Sequence, residues 1–293
     1  MRKLLMILLA LSAACLLHAG DYRIVSTRNG RDMSLAQLAR ALKSYDVIFF
    51  GEIHDDAEIH EMQRLLLGLL HRRVPRLIVS FEMFERDTQQ WMDSYLAGEI
   101  GEEEFLHQAR PWGNYETDYK PLVEYAKANR LPVLTANIPR QYASRVVRFG
   151  TNSLDELSPE ERAYIAQEIS AHPGSYRDRF LETMQINTAH GMPGDANTLD
   201  RLYYAQCMKD DTMAESIVLA LGERRRHKLI HFNGDFHSRA GLGTVERVKS
   251  RNPRLKIAVI TPEFTDDVAG FRMTRDLRQE GDFLIIKRHF GGG

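Results

Sequence analysis

Residues 46–60 read Asp-Val-Ile-Phe-Phe-Gly-Glu-Ile-His-Asp-Asp-Ala-Glu-Ile-His. Val47 to Phe50 are an apolar run of strand formers, and Gly51 breaks it, so Glu52 and His54 fall where a buried strand ends. Asp55 stands three residues before Glu58, the spacing of a capping box. Ile59, Met62, Leu66 and Leu69 follow at helical spacing. The unit is strand, acid and histidine, then helix. In open parallel α/β sheets ligands bind beyond the carboxyl ends of the strands, which is where Glu52 and His54 are delivered.

The same construction returns late in the chain. Lys228 to Phe232 run into Asn233-Gly234-Asp235-Phe236-His237, so Gly51–His54 and Gly234–His237 both read Gly, acid, apolar, His. Between them, Leu77 to Ser80 run into Phe81-Glu82-Met83-Phe84 and place a carboxylate at a third strand end. A further strand, Pro132 to Ala136, ends in Asn137, with Arg140 close behind to hold an acid. If these strands are neighbours, two Gly-acid-apolar-His turns and Glu82 converge.

The remaining pattern is that of an α/β domain with a mostly parallel sheet flanked by helices and with right-handed crossovers. Tyr22 to Val25 read as a strand, Asn29-Gly30 as a turn, and Ser34 as a helix cap. Asp87 and Gln90 stand at capping-box spacing before the helix of Trp91 and Tyr95. Pro111 to Tyr119 are a loop carrying three large aromatics, which either pin it to the body or line a pocket. From about 150 to 200 the strand pattern stops. Ser158-Pro159-Glu160-Glu161 open a helix expected to reach about Ser170, and a helix follows near 177–186, so the segment has the form of a lid insertion. The sequence then predicts a long helix from Thr198 to Leu221, on which Leu199, Tyr203, Gln206, Asp210, Met213, Ile217 and Ala220 share one face. That puts Asp210 in a mostly apolar stripe, where a carboxylate must be hydrogen-bonded, paired or near a metal. Leu255 to Ile260 form a strong strand, and Phe283 to Ile286 a last one at a sheet edge.

At 293 residues, 43% hydrophobic and 27% charged, the chain can bury a sizeable core. A formal net charge of -1 gives no electrostatic case for nucleic acid as a partner. Arg2 and Lys3 precede an uncharged run from Leu4 to Leu17, and Ala19 and Gly20 follow, so residues 1–20 read as a signal peptide and 21–293 as a single mature domain. Cleavage after Ala19 or Gly20 would release a periplasmic or secreted protein. Cleavage before Cys15 would instead leave a lipid anchor and membrane association. Cys207 alone remains after the leader, which excludes an internal disulfide and suits a small buried residue.

Taken together, Gly51–His54, Phe81–Phe84, Ala136–Arg140, Gln206 with Asp210, Met213-Ala214, and Gly234–His237 resemble the ChaN-like haem-binding uptake family. This lies within the Tiki superfamily, which also holds erythromycin esterases and the Tiki proteases. The match runs in order over nearly the whole mature chain. The resemblance implies an exported or lipid-anchored bacterial protein of iron acquisition that binds haem, as a homodimer enclosing cofacial haems. It also implies a tyrosine as ligand to iron. Tyr115, Tyr119, Tyr176, Tyr203 and Tyr204 are open to that role, with Tyr204 preferred and His190 and Met192 as nearby alternatives. Tyrosinate suits ferric haem because it is a hard anionic donor.

Two functions of different class follow. In the first, the chain binds haem as its cofactor or cargo. In the second it is a metal-dependent hydrolase, in which Glu52 or Glu82 acts as general base and His54 and His237 act as acid, base or ligands. Arg140 then orients an anionic substrate, and a divalent metal ion would be held by His54, Glu82, His237 and Asp210. The chemistry of the residues alone points to the hydrolase, and the family resemblance to haem.

Overall fold

The computed structural model describes residues 22–188 and 196–288. His190, Met192 and the leader lie outside them. In chain order the elements are β1 (Tyr22–Ser26), β2 (Asp32–Met33), α1 (Leu35–Leu42), β3 (Val47–Glu52), α2 (Ala57–His71) and β4 (Leu77–Glu85). Then come α3 (Gln89–Ala97), α4 (Glu102–Ala109), α5 (Lys120–Asn129), β5 (Val133–Asn137), α6 (Arg140–Phe149), α7 (Pro159–Arg162) and α8 (Ser175–Thr188). The chain closes with α9 (Ala196–Glu223), β6 (Lys228–Gly234), α10 (Thr244–Arg251), β7 (Ile257–Phe264) and β8 (Phe283–Lys287).

The strands form a single sheet in the order β2-β1-β8-β7-β3-β6-β4-β5. From β8 to β5 all neighbours are parallel, and β1 pairs antiparallel with both β8 and β2. The fold is therefore α/β with a mostly parallel sheet, as the sequence predicts. Every residue of β3 and of β4 is buried, the signature of strands covered on both faces. One apolar layer packs α1, α2, α3, α4 and α5 against one face, and α9 and α10 cover the other through Ala214, Ile217, Val245 and Val248.

Four local expectations are corrected. The cap of α2 is Asp56, whose carboxylate accepts from the backbone N–H groups of Glu58 and Ile59, rather than Asp55. No side chain caps α3 at Asp87, because Arg86–Thr88 form a 3-10 turn that delivers the chain into the helix. The helix opened by Ser158 stops at Arg162 instead of running to Ser170. Its capping box forms as expected, but beyond it α9 side chains take the backbone N–H groups: Thr212 accepts from Ala166, Glu215 from Gln167 and Asp211 from Ser170. The Arg162 guanidinium binds the carbonyls of Ile165 and Ala166, so tertiary partners replace the next helical turn. Finally, β8 lies inside the sheet between β7 and β1, since β1 folds back to cover its free edge.

Candidate functional site

The order β3-β6-β4 brings the three acid-bearing strand ends side by side. Gly51 pairs with Asn233 and Glu52 with Gly234, so the two Gly-acid-apolar-His turns lie side by side, offset by one residue. Their glycines are explained by this closeness. A Cβ on Gly51 would sit 2.5 Å from Oδ1 of Asp235, and one on Gly234 would sit 2.8 Å from Cε1 and Nε2 of His54. Each turn thus makes room for a side chain of the other.

Two linked clusters result. In the first, Glu52 is buried and its Oε1 lies 3.0 Å from Nδ1 of His54. The Tyr119 hydroxyl donates to Oε1 at 2.7 Å and the Gln63 amide to Oε2 at 2.6 Å. The backbone oxygen of His54 accepts from Asn114 at 2.8 Å and lies 3.1 Å from Nε2 of His60. Burial disfavours the charged His54 ring, but the hydrogen bond to Glu52 and the charges of Glu82 and Glu52 outweigh it and raise the pKa. In the second cluster, His237 lies between two carboxylates, with Nε2 3.2 Å from Glu82 and Nδ1 2.7 Å from Asp210. Burial opposes its charge, yet these acids push its pKa up to about 10. Burial of Glu82 is likewise overcome by His237, which together with His54 and the Gly234 N–H holds that carboxyl below the usual range. Asp210 also accepts from Thr244 at 2.7 Å and from the Tyr176 hydroxyl.

The arrangement is a buried imidazolium clamped by two carboxylates, beside a second histidine that is more open. The His54 side chain is 44% exposed and that of His237 only 7%. Among the described residues no group of three or more His, Cys, Asp or Glu is arranged to hold a metal ion. Of the set His54, Glu82, His237 and Asp210 named from the sequence, Glu82 and Asp210 each turn one oxygen to His237, and their other oxygens accept from the Gly234 N–H and the Tyr176 hydroxyl. Asn137 supports the cluster by donating to the backbone oxygen of Glu82, and Arg140 pairs with Glu85 rather than with a site acid.

Above the clusters opens a crevice of about 980 Å³. Its walls carry Ile53, Trp112, Ile138, Phe180, Met184 and Phe236, and its polar lining includes His54, Arg140, Arg179, Lys209 and Arg239. Phe180 and Met184 come from α8, within the segment expected to act as a lid. The aromatic loop divides its roles. Trp112 lines the crevice and packs edge-on to His54 at 4.8 Å, whereas Tyr115 and Tyr119 are buried in the body.

The other tyrosines lie elsewhere. Tyr176 is buried with its hydroxyl committed to Asp210. Tyr203 donates to the backbone oxygen of His172 at 2.8 Å. Tyr203 and Tyr204 line a separate cavity of about 810 Å³ with Phe149, Arg177 and Arg201. Burial raises the pKa of all three phenols and so works against tyrosinate. Cys207 is buried, and burial pushes its thiol up to about 12, in keeping with a packing role. His60 and Gln63, which the sequence analysis does not single out, support His54 and Glu52. The available signal was their place beside the buried stripe of α2.

A family model described as haem-binding uptake, Tiki superfamily, ChaN matches residues 38–248. A solved structure of cofacial haem binding to ChaN of Campylobacter jejuni aligns with a TM-score of 0.71 at 17% identity, covering 92% of this chain and 98% of that one. An erythromycin esterase mutant in its open conformation aligns at 0.48 and 10% identity, covering 83% of this chain and 77% of that one. The type III effector HopBA1 aligns at 0.49 and 10% identity, covering 87% and 93%. A comparison with curated proteins finds no match.

Proposed function

We propose that this chain, which belongs to the haem-binding uptake family of the Tiki superfamily, takes ferric haem into the crevice at its strand ends. The observation that carries this reading is the make-up of the crevice. Aromatic and aliphatic walls suit a flat apolar macrocycle, and Arg140, Arg179 and Lys209 suit its two carboxylates. Nη1 of Arg179 is buried without a hydrogen-bond partner among the described residues, a donor that a carboxylate would satisfy. His54 supplies an imidazole on the same wall, so the residues present fit an iron porphyrin.

The leader supports export, to the periplasm or to a membrane through a lipid anchor. The cofacial haems of the Campylobacter jejuni structure support a homodimer in which two loaded crevices face one another. In this reading the Glu82–His237–Asp210 cluster holds the floor of the crevice together, its acids satisfied by His237.

Titrating the purified protein with ferric haem, followed by visible absorption, tests the reading. Saturation is expected, and haem dimethyl ester should bind about tenfold more weakly because the cations lose their charged partners. Absence of saturable binding would overturn the proposal.

A further inference from the structure

We infer that the end of the sheet opposite the crevice is a docking face for anionic phospholipid. The inference is independent of the haem reading, because it uses none of the crevice residues. Five helix-to-strand turns meet there, each feeding one of the adjacent parallel strands β7-β3-β6-β4-β5. Lys43 precedes β3, Arg72 and Arg76 precede β4, and Arg130 precedes β5, all of them exposed. Arg224, Arg225 and Arg226 precede β6, and Arg254 and Lys256 precede β7, again exposed. The chain as a whole is balanced, with 39 Lys and Arg against 40 Asp and Glu. In these five turns the balance is gone. Their single acid is Asp46, and it is already occupied by the backbone N–H of Lys256 and by the ammonium of Lys228.

Strand register makes this face level. Val47 lies opposite Leu229 and Ile257, and Leu77 opposite Lys228, so the turns before β7, β3, β6 and β4 end at one height. With neighbouring strands about 4.8 Å apart, the five turns span roughly 19 Å. One basic residue per helix end would answer the helix dipole, whereas the turn after α9 alone presents three consecutive arginines. Guanidinium groups bind phosphate oxygens in pairs, and a level array of them matches the phosphates of lipid headgroups. The aromatic rings of these turns, Tyr45 and His227, are half-buried, so the face lacks the exposed aromatic anchors that hold a protein partner. Docked this way, the molecule turns the mouth of its crevice away from the membrane.

Co-sedimentation with vesicles of phosphatidylglycerol mixed with phosphatidylcholine, and with vesicles of phosphatidylcholine alone, tests the inference. The protein is made without residues 1–20, so that no lipid anchor contributes. The wild type should bind only the anionic vesicles and be released from them at high salt. Arg225→Gln with Arg226→Gln, and separately Arg254→Gln with Lys256→Gln, should each weaken binding about thirtyfold. As a control, Arg148→Gln with Arg201→Gln removes the same charge near the other end of α9, where Arg201 is roughly 33 Å of helix from Glu223. This pair should leave vesicle binding unchanged, and equal unfolding midpoints in urea should show all three variants to be folded. No preference for anionic vesicles, pole variants that bind as the wild type does, or a control pair that weakens binding as much as they do, each overturns the proposal.

Discussion

At the scale of single residues, the histidines of the site and the core divide by their partners. His54 and His237 face carboxylates and are driven towards the charged form, whereas His231 on β6 is fully buried against Phe49 and bonded through Nδ1 to Ser80 at 2.8 Å. Its Nε2 has no hydrogen-bond partner among the described residues, and burial, only partly offset by Glu82, pushes its pKa down to about 3. The unfolded chain takes up this proton near pH 6.5 and the folded chain does not. Stability from this group is therefore complete above about pH 6.5 and lost as the pH falls towards about 3, by roughly 1 kcal/mol per pH unit. Urea denaturation across this range should show a shallower acid limb for His231→Asn than for the wild type. Identical limbs would contradict the assignment. Sequence reading found Glu52, His54, Glu82, Asp210 and His237 because strand ends and a polar interruption of an apolar helix face are local patterns. It missed Gln63 and His60 because their role depends on how α2 lies over β3, which periodicity does not encode.

At the scale of elements, α9 organises the segment between α7 and α8. Asp211 is buried on it, pairs with Arg247 of α10 at 3.1 Å and with Arg251 at 2.8 Å, and accepts from the Ser170 N–H at 2.7 Å. Removing one member of a buried, hydrogen-bonded ion pair leaves the others uncompensated. Asp211→Ala should cost about 3 kcal/mol in urea denaturation and speed amide exchange at Ser170. Exchange unchanged there would mean that α9 does not hold the segment. The same contacts explain why the extent of α7 was not legible. Its cap lies in adjacent residues, but the groups that take over beyond it are 41 to 48 positions away on α9. Likewise the interior place of β8 depends on β1 returning to pair with it, and a short apolar run reads alike at an edge or inside a sheet.

At the scale of the whole molecule, the order β3-β6-β4 is the decisive feature. It gathers two similar turns and one glutamate from distant parts of the chain at a single level of the sheet, beneath a crevice whose outer wall comes from α8. The repeated Gly-acid-apolar-His pattern made that convergence readable before any coordinates. The separation of the Tyr203 and Tyr204 cavity from the crevice was not readable, because it depends on the rotation of α9 about its axis. The most direct test is to locate iron by anomalous scattering in crystals grown with ferric haem. One iron per chain is expected in the strand-end crevice. Iron in the cavity of Tyr203 and Tyr204, or no ordered iron at saturating haem, would contradict it.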